Sequence, residues 1–340
     1  MTRPQTDPGN RVPKQQIFKR LRYTLVYVPF AVFLIVLPHL SAGGSQIIAV
    51  LQAVLPLLCL ATVAAAMIVL VRGKRFLALL LGISTMASLG PGYLSHYDSG
   101  IQRTSADKSA CEPGPELSVL SLNVGRGRAS IAELGSYIQR EAPDVLVLLE
   151  TNEAMILGLQ ASVSGWDYTH RTSPVIHGGS VDSVILSRAP LRQETNAVSQ
   201  SARVLFDLPV ARIDDPRLGS LRVVAVHPMP PTHDPVMWAH TLENLRLWHE
   251  TQGDMPLIMA GDFNATHAHR EFRDVSQGLS DVSPRIGPLQ LPSWPADASL
   301  PAFAAIDHVL VRELLEVNSE RFSVDGTDHH GIFTRLARCE

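Results

Sequence analysis

Apolar helices followed by a layered sheet sandwich with helices outside it are the fold class this sequence predicts, and two observations carry the expectation. The first is a partition of charge. Between Thr24 and Leu94 the only charged residues are Arg72, Lys74 and Arg75, whereas Leu117–Glu340 holds 18 Arg, no Lys and 27 Asp plus Glu, a net of −9. The whole-chain averages, 46% hydrophobic and 18% charged, hide two parts suited to different solvents. The second is that, from Leu117 onward, short apolar runs end one after another on a carboxylate, an amide or an imidazole. A helix-poor, Gly/Pro-rich chain of many short strands reads as packed sheets.

The uncharged part divides into three runs, 24–40, 46–71 and 76–94. As helices they extend roughly 25, 39 and 28 Å, against about 30 Å for a bilayer's hydrocarbon core. They are expected to be three transmembrane helices; a buried helical core, or a leader cleaved near Ser41-Ala42-Gly43, is the alternative. Basic residues fix the expected orientation. Arg3, Arg11, Lys14, Lys19, Arg20 and Arg22 precede the first run, the turn Ser41–Ser45 has none, and Arg72-Gly73-Lys74-Arg75 has three. With basic segments on the cytoplasmic side, residues 1–23 are cytoplasmic, 95–116 form an extracytoplasmic linker, and 117–340 lie outside the cytoplasm in a multi-pass cell-membrane protein. Of the three cysteines, Cys59 sits in an apolar run, while Cys111 and Cys339 bracket the polar domain. An oxidising compartment permits a Cys111–Cys339 disulfide if the first and last strands are neighbours; two unpaired thiols are the alternative.

In the polar domain, Leu117–Val124 reads as a strand with Asn123 near its end. Ser130 and Glu133 form a capping-box pattern ahead of a helix that stops before Pro143. Asp144–Leu149 is an apolar strand ending on Glu150. Further strands are expected over Val181–Leu186, Val204–Leu208 and Leu221–Val226, the last ending on His227. Asp234 as N-cap and Pro235 at the first helical position start a helix running to about Thr251. Pro256–Ala260 leads into Gly261-Asp262-Phe263-Asn264; Ala305–Val311 contains Asp307; Asp328-His329 precedes a final strand, Ile332–Leu336. Unpaired polar side chains at the ends of buried strands are costly, and convergence on one metal-centred cleft supplies their partners.

The set Asn123, Glu150, His227, Asp262-x-Asn264, Asp307 and Asp328-His329 resembles the endonuclease/exonuclease/phosphatase superfamily, in the family's order, over Leu117 to about Ala337. Trp294-Pro295 ahead of Ile306-Asp307-His308 also resembles a bacterial, membrane-anchored branch. The resemblance implies an α/β fold, a four-layered α/β sandwich of two mainly antiparallel sheets flanked by helices. It also implies a metal-dependent hydrolase of phosphate esters. Hard oxygen donors suit Mg²⁺ or Mn²⁺. Glu150, Asn123 and Asp328 are the expected metal shell, and His227, Asp262, Asn264, Asp307 and His329 the expected catalytic set. Asn264, His227 and His177 are the expected substrate contacts. Alternation along a strand turns His308 away from Asp307's face, so His308, like His330, is expected to be structural. Leu149 and Thr327 stand where the family commonly has Gln and Ser.

The substrate is a phosphate ester: a lipid headgroup, a small phosphate or a nucleic acid. Duplex DNA binding draws on Lys and Arg. A lysine-free domain at −9 has no global basic field, although Arg126, Arg128 and Arg188 are candidates to line a cleft. A nuclease, and a non-catalytic membrane scaffold on the same fold, are therefore the alternatives to a membrane-anchored phosphoesterase acting beside the bilayer.

Overall fold

The computed structural model describes residues 14–94, 113–173, 182–194, 208–287, 289–297 and 301–339. Four helices come first: α1 (Lys14–Val36), α2 (Gln46–Ala53), α3 (Leu55–Val71) and α4 (Arg75–Leu89). Four more follow: α5 (Ile131–Glu141), α6 (Glu153–Ser162), α7 (Pro235–Glu250) and α8 (Arg270–Val275). The strands are β1 (Pro113–Asn123), β2 (Val145–Leu149), β3 (His170–Arg171), β4 (Ser183–Ser187), β5 (Leu191–Glu194), β6 (Val210–Asp215) and β7 (Gly219–Val226). The remainder are β8 (Leu257–Asp262), β9 (Ser280–Asp281), β10 (Arg285–Ile286), β11 (Leu289–Gln290), β12 (Asp307–Arg312), β13 (Leu315–Phe322) and β14 (Gly331–Cys339).

Two six-stranded sheets result, in orders β13-β14-β1-β2-β4-β3 and β5-β6-β7-β8-β12-β9. Pairing is antiparallel except for β1 with β2 and β7 with β8, so those four strands finish at the same end of the molecule. The sheets face each other across a buried layer that includes Val119, Val147, Val223, Ala225, Ile258, Ala260 and Val309. Alternate residues point the other way: Leu120, Leu122, Leu146 and Leu148 pack under α5 and α6, and Val224, Leu257, Met259 and Leu310 under α7 and α8. The result is the expected helix–sheet–sheet–helix sandwich.

Local signals set several boundaries. Ser130 accepts from the Glu133 amide at the start of α5, although the Glu133 carboxylate reaches the Asp325 amide and not back to the cap. Asp234 accepts from the Met237 amide, and α7 begins at Pro235 as expected. Residues 204–207 of one expected strand, together with His177 and Cys111, lie outside the described residues, as does the Cys339 side chain. The backbone of Pro113 pairs with that of Cys339.

The second apolar run is not one helix. It bends by 61° between α2 and α3, where Pro56 cannot donate an amide to the turn before it. Of the N-terminal helices, Arg75–Gly92 is long and apolar enough to cross a membrane, and the bent pair passes the same test when taken together. These helices are joined to the sandwich and not merely tethered. Glu271 accepts from Ser41 Oγ and the Ala42 and Gly43 amides, Arg273 donates to the Pro38 carbonyl, and Gln46 donates to the His233 carbonyl. Ala42 and Ala49 enter the core layer under α7, and Ala268 joins Leu34, Leu37, Leu55 and Cys59. At the near end of α4, a Cβ on Gly92 would sit 2.4 Å from the His267 carbonyl oxygen.

Candidate active site

Strand parity assembles the site. The inter-sheet residues of β1 are Leu117, Val119 and Ser121, and the next on that face is Asn123. Val223 and Ala225 lead to His227, Ile258 and Ala260 to Asp262, and Val309 follows from Asp307. Because β12 runs antiparallel to β8, Asp307 pairs with Asp262, and both carboxylates meet at one end of the inter-sheet layer. Gly261 is required there: its φ is +147°, and a Cβ would lie 2.1 Å from the Val226 oxygen. Two non-glycine residues of the site, Glu150 and Asn264, take φ near +50°, an arrangement that costs energy and re-aims their side chains at the strand ends.

The contacts are close. His329 Nδ1 lies 2.9 Å from Asp307 Oδ2, and its Nε2 lies 3.7 Å from Asp262 Oδ2. His227 Nε2 is 3.7 Å from Glu150 Oε1 and 3.8 Å from Asp262 Oδ2. Asn123 Nδ2 donates toward both Glu150 Oε1 (3.2 Å) and Asp262 Oδ2 (3.3 Å), while its Oδ1 accepts from the Gly125 amide. In this arrangement Asn123 faces the centre as a donor that spaces two carboxylates. Asn264 is pinned by its amide to Asp262 Oδ1 (2.8 Å) and by Nδ2 to the Pro228 carbonyl (3.0 Å). Asp328 accepts from Trp294 Nε1 at 3.0 Å.

Charge is poorly balanced in this centre. Burial pushes the Glu150 and Asp262 carboxyls up, each with further carboxylates nearby adding to the effect. Burial opposes a charge on His329 too, but Asp307 and Asp262 outweigh it and hold the imidazole near 10. His227 is driven down to about 3 by burial and by the His329 charge. One imidazolium therefore faces several inward carboxylates. A hard divalent cation relieves that excess, so the donor set fits a metal. Oxygen and nitrogen atoms of Asp262, Asp307 and His329 lie within 4.8 Å of one another, but the charged His329 ring has no lone pair for a cation and serves there as a donor to the carboxylates.

A second cluster, His267, Asp281 and His308, is occupied by its own hydrogen bonds. Both rings contact Asp281 Oδ2 at 2.9 Å, and His308 Nε2 meets the Ala265 carbonyl at 2.8 Å. His308 stacks beside Phe272 on the helix side of β12, the face opposite Asp307, as alternation requires. This cluster holds the edge strand β9 against β12. His269 is also elsewhere, its Nε2 3.0 Å from the Ala49 carbonyl. His330 turns outward to Ser323.

Two loop hydroxyls brace the site. Thr327 Oγ1 donates to the Asn123 carbonyl (2.7 Å) and accepts from the His329 amide, so it ties together two site residues from opposite ends of the domain. Ser293 Oγ accepts from the Ile306 and Asp307 amides. Arg188 is a correction: it follows the end of β4 that pairs with the start of β2, away from the site, and binds Asp167 there. Arg126 stays near, 4.0 Å from Glu150, and Arg128 donates to the Gly125 carbonyl.

The site opens into a cavity of about 420 Å³ lined by Glu150, His227, Asp262, Asn264, Asp328 and His329, and also by α2. No curated protein matches the chain in sequence. Among solved structures, an endonuclease/exonuclease/phosphatase from Beutenbergia cavernae DSM 12333 is 19% identical, with a TM-score of 0.46 over 66% of this chain and 72% of its own. D. rerio TDP2, humanized by 14 mutations, is 19% identical with a TM-score of 0.49, over 65% and 98%. An endonuclease/exonuclease/phosphatase from Bacteroides vulgatus is 14% identical and reaches 0.50 over 66% and 100%, a likeness of fold. The endonuclease/exonuclease/phosphatase family model matches residues 120–329, the span from β1 to His329 that holds every converging side chain described above, and the chain belongs to that family.

Proposed function

We propose that the protein is a membrane-anchored, divalent-metal-dependent phosphoesterase whose catalytic centre lies outside the cytoplasm. The observation that carries the chemistry is the convergence of Glu150, Asp262, Asp307 and His329 at the shared end of the two sheets. Glu150 and Asp328 would hold Mg²⁺ or Mn²⁺, and Asn123 would join them only with its amide turned so that Oδ1 and not Nδ2 faces the centre. The bound cation supplies charge neutralisation at the phosphoryl oxygens. Asp307 holds the charged His329 ring at Nδ1 so that its Nε2–H points at the cleft as a donor to phosphoryl oxygen. Asp262, held beside His329 and locked to the Asn264 amide, is placed to take the attacking water's proton. His227 and Asn264 orient the phosphate.

Two features support the anchor. Large apolar side chains stand exposed along α1, α3 and α4, among them Leu25, Leu60, Met67, Val71, Phe76 and Met86, and such a surface calls for lipid or another partner. In addition, α3 leaves the sandwich at Leu55 and, at about 1.5 Å per residue, carries the basic turn Arg72–Arg75 roughly 25 Å away, where a cytoplasmic surface would lie. A Cys111–Cys339 disulfide would suit that side of the membrane.

The full-length protein in detergent is expected to hydrolyse bis-p-nitrophenyl phosphate with Mg²⁺ or Mn²⁺ and to stop with EDTA. Both Glu150→Ala and His329→Ala should abolish turnover. A wild type silent with either metal would favour the scaffold reading. A carboxy-terminal reporter active only in the cytoplasm should be dark, and a bright one would overturn the orientation.

A further inference from the structure

The active-site cavity has two chemically different walls. Its inner wall is the polar centre. Its outer wall combines Ala49, Val50, Ala53 and Val54 of α2 and its bend with Phe303 and Ile306. The helix is seated there by specific contacts: His269 Nε2 to the Ala49 carbonyl, Glu271 to the 41–43 turn, and Gln52 Nε2 to the Leu37 and Leu40 carbonyls. Gly43 fits because a Cβ would come within 2.7 Å of the Ala239 Cβ. The 61° bend turns α3 away while leaving α2 lying along the mouth of the cleft. A tether alone needs none of this.

We infer that α2 is part of the substrate site, and that the cleft takes a lipid phosphate ester with its phosphate at Glu150 and His329 and the first methylenes of its hydrocarbon chain against Val50, Ala53 and Val54. The inference rests on the phosphoesterase reading and on the bilayer reading of α1, α3 and α4. Leu57 and Leu60, exposed on α3 just past the bend in the chain, would receive an apolar chain leaving along α2, so it need not cross water. A nucleotide would instead set sugar hydroxyls and flanking phosphates against the α2 part of the wall, where Ala49, Val50, Ala53 and Val54 have no side-chain donors. Each buried methylene favours binding about fourfold, so a few suffice for strong selection.

The full-length protein in mixed micelles is given two diesters with the same leaving group, p-nitrophenyl hexadecyl phosphate and p-nitrophenyl ethyl phosphate. In each, water adds to phosphorus as the bond to p-nitrophenolate breaks, leaving the alkyl phosphate and a proton. The hexadecyl ester is expected to show kcat/KM at least tenfold above the ethyl ester. Enrichment in micelles raises that ratio without any pocket, but to the same degree for every variant. Ala53→Trp, which fills the apolar wall, and Val54→Thr, close to isosteric, are therefore compared with wild type. A ratio that falls threefold or more in either variant supports the assignment. A ratio unchanged in both overturns it, as does a single-stranded DNA oligonucleotide cleaved with higher kcat/KM than the hexadecyl ester. Failure to hydrolyse any of the three would instead count against the phosphoesterase reading itself.

Discussion

Asp307 and His329 lie 2.9 Å apart, carboxylate to imidazole Nδ1, although they are 22 residues apart in the chain, with the rest of β12 and all of β13 between them. The carboxylate comes from the first residue of β12, and the ring from the turn ahead of β14. Both are buried, and Asp307 is the strongest of the carboxylates that hold His329 charged. The ring's second nitrogen is left facing Asp262 and the cleft.

Removing the charge while keeping the shape tests that relationship. Asp307→Asn still offers an acceptor to Nδ1 but no longer holds the imidazole charged. We expect kcat to fall by about 10²–10³ with a smaller change in KM, in line with the worth of a positioned acid–base group. Bis-p-nitrophenyl phosphate kinetics measures it; kcat within threefold of wild type would show that the pair is merely structural.

Glu150 follows the last residue of an apolar strand with φ near +50°, and its carboxylate, like that of Asp262, is approached by both the amide of Asn123 and the ring of His227. Glu150→Gln keeps the volume and loses the charge. Mn²⁺ affinity, followed by titration calorimetry, should weaken at least tenfold. Calorimetry reads this whether or not a substrate has been found. Undiminished binding would move the metal away from Glu150.

Thr327 shows how the centre is braced. Its hydroxyl spans the Asn123 carbonyl and the His329 amide, both buried. Thr327→Val leaves the carbonyl acceptor unpaired and should cost about 1–3 kcal/mol of stability. Thr327→Ser retains both bonds and should stay near wild type in Tm and turnover. Equal behaviour of Val and Ser by thermal unfolding would remove the hydroxyl's role.

How far the sequence reaches can be judged from these residues. Asn123, Glu150, His227, Asp262 and Asp307 were legible because each interrupts an apolar run, and a two-residue period fixes the face on which it emerges. The same period separated Asp307 from His308. Asp234 was legible as a cap because its effect is local. Ser293 was not, since an isolated hydroxyl in a loop has no periodicity, and Thr327, marked only as standing where the family commonly has Ser, has partners that include one far away in sequence. Strands β3, β9, β10 and β11 are two residues long, too short to display a period. The edge strand β13 reads Leu-Glu-Val-Asn-Ser-Glu-Arg-Phe, and a bulge between Glu316 and Asn318 interrupts its register. The deepest omission concerns α2. Hydropathy makes Gln46–Val71 one apolar run, and only tertiary contacts show that one face of its first eight residues, at Ala49, Val50 and Ala53, lines a cleft.

Those contacts give α2 a dependence on pH. His269 accepts the Thr266 amide at Nδ1 and so donates from Nε2 to the Ala49 carbonyl, the arrangement of a neutral ring. Burial drives its pKa down to about 4. The unfolded ring titrates near 6.5, so below that pH the unfolded chain binds a proton that the folded chain refuses. Stability from this group is complete above about 6.5 and declines as pH falls toward 4, by on the order of 3 kcal/mol in total. His227, lowered to about 3, adds a loss of the same sign. His269→Gln carries an amide that can still reach the Ala49 carbonyl and has no charge to gain. In the full-length protein, Tm measured by tryptophan fluorescence at pH 7, 5.5 and 4 should therefore fall less steeply for the variant than for wild type. Parallel curves would mean that His269 does not resist protonation and that α2 is held on the sandwich by its other contacts, Glu271 and Gln46.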